Sequence, residues 1–185
     1  MTLSCIGNIF YWTELLNNPE PVIYLNHTFQ KQSELSQYDI VTANGRLKLS
    51  VPTQKSTRKG SFSDVKIDPT SKWQVEHWRS IENAYLKSPF FLYYGYKIEV
   101  AYNTKYDSLV EFNLAVMHII CDCLKLKKHP RIDNIEPVYY SKDQHIDNCE
   151  YPQVFDTHID FVGNTSILDL IFNLGPEAKE YLINP

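Results

Sequence analysis

Apolar positions alternate or bunch into short runs over the first 67 residues and recur at helical spacing in the rest of the chain. Residues 3–6 form an apolar run that predicts a first strand. Asn8 is placed to cap a helix from Ile9 to about Asn17, which Pro19 and Pro21 bring to an end. Val22-Ile23-Tyr24-Leu25 predicts a second strand. Strand, helix and strand in this order predict a right-handed βαβ unit with a short helix. Asn44-Gly45 sits between two alternating segments and suits a type I′ turn, because both central positions of that turn need positive φ. A two-residue turn there sets Thr42 opposite Leu47, Ile40 opposite Leu49 and Tyr38 opposite Val51. Tyr38, Ile40, Leu47, Leu49 and Val51 then share one face, and Arg46, Lys48 and Ser50 lie on the other, wetter one. Pro52 stops the second strand of this hairpin.

Residues 53–61 read as a basic loop containing Lys55, Arg58, Lys59 and Gly60. Phe62 to Ile67 predicts another strand, closed by Asp68-Pro69. Three helices with similar openings follow. Ser71-x-x-Gln74 is a capping-box pattern for a helix through about Lys87, limited by Pro89. Ser108-x-x-Glu111 opens a long helix to about Leu126. Ser166-x-x-Asp169 opens a third, which Gly175 stops, and Pro176 fits the first turn of a final short helix over 176–182. Residues 129–150 are polar and rich in turn formers, and Phe155 to Val162 predicts one more strand. The expected fold class is α/β, a single domain over residues 1–185. It has a mixed β-sheet with an N-terminal βαβ unit and the Asn-Gly hairpin, covered by helices from the C-terminal half at 71–87 and 108–126.

Composition narrows the function. The chain has 185 residues, 43% hydrophobic and 22% charged, which suits one globular domain and excludes disorder for its bulk. No apolar run approaches the roughly 20 residues needed to span a bilayer. The first residues lack a cationic stretch ahead of an apolar one, so no signal peptide is expected, and a cytoplasmic protein is. Cys5, Cys121, Cys123 and Cys149 then read as reduced thiols. A net charge of −4 argues against nucleic acid as the main partner, unless Arg46, Lys48 and the cations at 55–59 form one stripe. The six glycines form no G-x-G, so both the dinucleotide fingerprint and the Walker loop are missing, as are H-E-x-x-H and G-x-S-x-G. No cofactor is expected. An enzyme built this way would take a substrate activated elsewhere or bind its nucleotide in some other manner.

A few residues carry possible chemistry. His118, Cys121, Asp122 and Cys123 are ligand types, but helical spacing puts Glu111, His118, Asp122 and Lys125 on one solvated stripe and turns the thiols toward apolar neighbours. No metal site is expected there. His77 lies four residues after Trp73 and four before Ile81, on a row that continues to Tyr85. It reads either as a core-edge histidine bonded to a backbone carbonyl or as a site residue in the first turns of a helix. In the second case the helix dipole would favour an anion and depress the imidazole's proton affinity. Lys31 follows the second strand, at the carboxyl edge where open α/β sheets place ligands; the alternative is a surface lysine. The Lys55–Lys59 loop could hold a phosphate or be a solvated turn. Ser166 and Asp169 are explained as a helix cap. Aromatic residues make up 14% of the chain, with 13 tyrosines, and could line a sugar or nucleotide site or fill the core.

The order of these segments resembles the WbqC-like family in its short form. The resembling stretches are Leu47-Lys48-Leu49-Ser50-Val51-Pro52 and Val65-Lys66-Ile67-Asp68. Next comes Trp73-x-x-x-His77-Trp78-x-x-Ile81-x-x-Ala84-Tyr85-x-x-x-Pro89-Phe90-Phe91-x-x-Tyr94. Near the end stand Tyr151-Pro152-Gln153-Val154-Phe155 and the run from Ser166-Ile167-Leu168-Asp169 to Gly175-Pro176. The resemblance implies a role near surface-polysaccharide (O-antigen) synthesis, with transfer of an amino acid, glycine, to a sugar as a proposed activity. It also implies that His77, Lys31 and Gln153 keep matching positions. Two stretches depart from the pattern. Many members have a His-x-Pro stretch where this chain reads Ser4-Cys5-Ile6-Gly7-Asn8, and Asn-Arg where it reads Ser36-Gln37. If those side chains bind or activate substrate, activity here is altered or lost.

Two functions follow. In the first, the chain is a group-transfer protein, with His77 as base, Lys31 holding an anionic group, and Trp73, Tyr85 and Gln153 shaping the substrate site. In the second, it is a non-catalytic module that binds a sugar, a nucleotide sugar or a partner enzyme of polysaccharide synthesis. The group-transfer reading expects Lys31 and His77 to share one hollow rimmed by aromatic rings.

Overall fold

A computed structural model describes residues 1–134 and 150–184. Cys149 and most of the turn-rich stretch at 129–150 lie outside the described residues. Around one buried apolar cluster the described residues arrange six α-helices and four short strands.

Helix α1 (Ile9–Asn17) starts where Asn8 predicts, the Asn8 side chain accepting from the Tyr11 amide at 2.7 Å. Strand β1 (Val22–Tyr24) follows. The predicted strand at 3–6 is reduced to a single parallel bridge, Thr2 to Tyr24. Leu3, Cys5 and Ile6 are buried, but as irregular chain packed into the core. Strand β1 instead pairs in parallel with a strand far along the chain, β4 (Arg131–Asp133), with Ile23 opposite Ile132.

The hairpin forms with a corrected register. Strands β2 (Gln37–Thr42) and β3 (Gly45–Ser50) pair Tyr38 with Leu49, Ile40 with Leu47 and Thr42 with Gly45. The tight link is Ala43-Asn44, and Gly45 takes the positive-φ position at φ 90° as the first residue of β3. A register shifted by two residues preserves the faces, because side chains alternate with period two. Tyr38, Ile40, Leu49 and Val51 are therefore buried as expected, while Leu47 sits exposed near the tip.

Among the described residues the two pairs do not join: there is one parallel and one antiparallel two-stranded piece rather than a single mixed sheet. Phe62–Asp64 is a 3-10 turn, and only single bridges at Lys66 and Ile67 remain of the strand predicted there. Residues 155–162 turn without forming a strand.

Helices supply most of the regular secondary structure among the described residues. In α2 (Trp73–Tyr85), Trp73, His77, Ile81, Ala84 and Tyr85 form one buried row. Its opening differs from the expected capping box. Lys72 stands at the cap position, without a side-chain bond, and Ser71 lies one residue too early. Helix α3 (Phe91–Asn103) is not among the helices the sequence predicts. It packs on α2, on α4 (Leu109–Cys123) and on α5 (Ile167–Leu174). The α4 capping box is fully formed: Ser108 Oγ accepts from the Glu111 amide at 3.1 Å, and Glu111 Oε2 accepts from the Ser108 amide at 3.3 Å. Gly175 ends α5 at φ 55°, and α6 (Ala178–Ile183) closes the described chain. No described helix is long and apolar enough to cross a membrane.

Candidate functional site: a polar cleft behind the hairpin

The polar face of the hairpin carries Gln37 and Asp39 on β2 and Arg46 and Lys48 on β3, with Asp39 directly opposite Lys48. Arg46 donates from Nη1 to Asp39 Oδ2 at 3.1 Å and from Nη2 to the Gly163 carbonyl at 2.6 Å. It thereby ties the hairpin to the loop that leads into α5.

That loop is stitched to the start of α1. The Ile9 amide donates to the Thr165 carbonyl at 3.0 Å, the Phe10 amide to Asn164 Oδ1 at 3.0 Å, and the Ile167 amide to the Gly7 carbonyl at 3.0 Å. The Ser166 amide donates to the Asp39 carbonyl at 2.9 Å. Asn8 Nδ2 donates to Glu34 Oε1 at 2.7 Å and brings in the loop before β2.

These segments enclose a cleft of about 350 Å³. It is lined by Ser4, Gly7 and Asn8, by Gln32 to Glu34, by Gln37 to Asp39, by Arg46 and Lys48, and by Asn164 to Ser166. Two observations mark it as more than a surface dent. Gln32 at φ 55° and Asn164 at φ 49° are two of the three described non-glycine residues with positive φ, and both border the cleft. Buried polar atoms without a protein partner also lie at its wall, namely Asp39 Oδ1 and Ser166 Oγ. The Ser166 hydroxyl makes no cap bond to α5, which corrects the capping explanation of Ser166 and Asp169.

Asp169 is fully buried behind this wall. Tyr151 Oη donates to its Oδ2 at 2.5 Å and Gln153 Nε2 to the same oxygen at 2.8 Å. Gln153 also exchanges two bonds with the Val162 backbone, at 3.1 and 3.0 Å. The Tyr85 hydroxyl accepts from the Val41 amide at 3.0 Å and faces Asp169 as well. Burial pushes the Asp169 carboxyl above the usual carboxylate range, and the hydrogen bonds from Tyr151 and Gln153 only partly offset this. Tyr85 and Gln153 thus meet around Asp169, inside the protein.

His77 belongs to a different group. It lies on the apolar side of the hairpin, its Nδ1 2.9 Å from Tyr38 Oη, which is 2.8 Å from Tyr102 Oη. The Trp73 ring meets it edge-on with centroids 5.1 Å apart. Burial lowers its pKa to about 4, against a smaller upward pull from a hydrogen bond to the Ser50 backbone. The imidazole is therefore neutral at pH 7, through burial rather than through a helix dipole.

Lys31 is exposed in the turn next to Gln32. Neither Lys31 nor His77 lines the cleft; His77 reaches its wall only through the hydroxyl of Tyr38. Trp73 and His77 are brought together edge-on, while Lys31 lies in the exposed turn beside Gln32.

Reading the sequence did not single out Asp39, Asn164 or the buried role of Asp169. The corrected hairpin register would have shown the first, since it sets a carboxylate directly across from Lys48 and diagonal to Arg46. The other two depend on contacts between segments more than a hundred residues apart or on burial, which local pattern does not report.

Other candidates stay local. His118 and Asp122 are exposed, with His129 Nε2 3.6 Å from Asp122 Oδ1. Among the described residues no three His, Cys, Asp or Glu side chains are arranged to hold a metal ion. Burial raises the Cys121 and Cys123 thiols to about 12 and about 11, so both remain protonated at neutral pH. In the basic loop, Arg58 is occupied by the Thr53 hydroxyl at 2.8 Å and by the Thr53 carbonyl.

No curated protein and no solved structure matches the chain. The family model of the WbqC-like protein family matches residues 8–138. That span is well over half of the 185 residues and holds α1, the hairpin and helices α2 to α4, so the chain belongs to the WbqC-like protein family.

Proposed function

We propose that the chain binds a sugar or a nucleotide sugar in the cleft behind the hairpin, and that it serves surface-polysaccharide synthesis as a binding module. One observation carries this reading. Ser4 to Asn8 and Ser36-Gln37, the two stretches where the resemblance implies a departure from the family's pattern, are far apart in sequence, yet Ser4, Gly7, Asn8 and Gln37 all line the cleft. There the chain presents amides and hydroxyls, from Asn8, Gln37 and Ser4, around an Asp39–Arg46 pair. Planar amides and a pinned carboxylate suit a ligand rich in hydroxyl groups, which both donates and accepts. Residues 1–185 form one domain in this reading, because the loop at Asn164 to Ser166 that leads into α5, beyond the family match, supplies part of the cleft wall.

The test is a calorimetric titration with nucleotide sugars and with the free sugars. Saturable binding is expected, weakened at least about tenfold by Asp39→Ala or Arg46→Ala, since each removes charged hydrogen bonds worth more than about 1.4 kcal/mol. The exposed Lys55→Ala is expected to leave it unchanged. No binding by any of these ligands would reject the reading.

Group transfer to a sugar amine is the second reading. The observation favouring it is that Tyr38 borders the cleft and bonds His77 through its hydroxyl. The amine nitrogen would attack an activated acyl carbon, forming the C–N bond as the thioester or ester bond breaks. The amine proton would leave by way of a base to the departing group. Incubation with aminoacyl thioester or aminoacyl-tRNA donors and amino-sugar acceptors distinguishes the two. A mass gain in the acceptor that is lost with His77→Gln supports transfer, whereas binding without product supports the module.

A further inference from the structure

Asp39 and Ser166 meet at the cleft wall through their backbones. The Ser166 amide donates to the Asp39 carbonyl at 2.9 Å, and the Ser166 carbonyl accepts from the Asp169 amide at 3.1 Å. Ser166 is also bridged to Asn8. Both Asp39 and Ser166 line the cleft, and their side chains share a second property. Arg46 Nη1 donates to Asp39 Oδ2 at 3.1 Å, which fixes the carboxylate and leaves Oδ1 buried without a protein partner. Ser166 is 1% exposed, and its Oγ, which makes no cap bond, is likewise buried without one. Buried polar atoms are nearly always met by a hydrogen-bond partner. Two that are not, on residues joined backbone to backbone and lining one cleft, mark the place where a ligand supplies the partner.

We propose that Asp39 Oδ1 and Ser166 Oγ together hold two neighbouring hydroxyl groups of the ligand's sugar ring. This rests on the reading of the cleft as a sugar site, and it says which part of a nucleotide sugar enters. A carboxylate oxygen only accepts, so the group against Oδ1 must donate. A serine hydroxyl does either and serves the next hydroxyl whichever way that one turns. Side chains that start from hydrogen-bonded neighbours reach adjacent groups of a ligand, not distant ones.

The diphosphate of a nucleotide sugar does not fit this wall. Its oxygens only accept at neutral pH, so they cannot meet Asp39 Oδ1, and the carboxylates of Asp39 and Glu34 repel them. The Arg46 guanidinium does not reverse this, because it is engaged by Asp39 and by the Gly163 carbonyl. Of the two cations lining the cleft among the described residues, Lys48 is the exposed one. The sugar ring therefore goes against Asp39 and Ser166, and the diphosphate lies toward Lys48.

Calorimetric titration with UDP-glucose, UDP-galactose, UDP-N-acetylglucosamine and UDP tests this. At least one of the nucleotide sugars should bind about tenfold more tightly than UDP. Ser166→Ala should weaken that nucleotide sugar about five- to tenfold relative to UDP. The variant should keep the wild-type melting temperature, since the hydroxyl it removes bonds nothing in the protein. Monodeoxy analogues of the tightest-binding nucleotide sugar then locate the contacts. Ser166→Ala should be non-additive with loss of one ring hydroxyl, and Asp39→Asn with loss of the hydroxyl next to it. UDP bound as tightly as every nucleotide sugar overturns the proposal and leaves the cleft a nucleotide site. Ser166→Ala at wild-type affinity also overturns it, as do matched hydroxyls that are not neighbours on the ring. Absence of binding by all of these probes rejects the sugar-site reading itself, and the proposal with it.

Discussion

His77 and Asp169 show how one physical cause, burial, moves two ionisable groups in opposite directions. Desolvation disfavours whichever form is charged, so it depresses the imidazole and raises the carboxyl. For His77 the folded pKa of about 4 lies below the ordinary value of 6.5. The unfolded chain therefore binds a proton that the folded one does not. The stability tied to His77 is complete above pH 6.5 and is lost as pH falls from there to about 4, a change of about 3 kcal/mol. Urea denaturation at a series of pH values should show this slope in the wild type and a flatter one in His77→Gln.

Asp169 carries the opposite sign. Its raised carboxyl favours the folded chain at low pH, and that contribution diminishes as pH rises through the ordinary carboxylate value toward the raised one. Asp169→Ala should cost about 2–3 kcal/mol, because it strands the Tyr151 hydroxyl and one N–H of the Gln153 amide in the interior. Asp169→Asn keeps an acceptor and should cost less. The same denaturation measurement compares the two.

Elements were legible where their signals are local. The Asn8 cap and the Ser108–Glu111 box start α1 and α4 because a side chain within one turn satisfies their first amides. Helix α3 was not legible because its outer surface is apolar too. With Leu92, Tyr93, Tyr96 and Val100 apolar on the outer side, the contrast between faces that marks an amphipathic helix is blurred. The hairpin was legible in position but not in register, since Gly45 serves as the first strand residue rather than as half of the turn.

Two glycines separate conformational strain from crowding. At Gly45, φ is 90° and a Cβ would meet nothing within 4 Å, so Gly45→Ala should cost about 1 kcal/mol, from the backbone alone. At Gly175, φ is 55° and a Cβ would come within 2.5 Å of the Phe90 ring. Gly175→Ala should therefore cost clearly more, at least about 2 kcal/mol. Melting temperatures of the two variants measured side by side check the order.

At the scale of the molecule, the cleft is a junction. The start of α1, the loop before β2, the polar face of the hairpin and the entry to α5 all contribute to it, and backbone bonds and Arg46 hold them together. A ligand there bridges segments that no local unfolding event can separate without losing it. Binding should consequently stabilise the whole fold, by about 2.7 kcal/mol at a ligand concentration one hundred times Kd. It should also slow amide exchange together at Gln37–Asp39 and Asn164–Ser166. Differential scanning calorimetry and hydrogen exchange with a nucleotide sugar check both. Protection confined to one of these segments would place the ligand elsewhere.

The amino-acid sequence by itself determined the α/β class, the capped starts of α1 and α4, the faces of the hairpin and the family. These depend on caps, turn residues and side-chain periodicity, which act over a few residues. Only the tertiary structure decided that β1 pairs with β4, that Asp169 is a buried anchor rather than a cap, and that His77 reaches the cleft wall only through Tyr38. Each of these is set by packing between segments distant in the chain, where burial and hydrogen-bond satisfaction override the local preference of any single stretch.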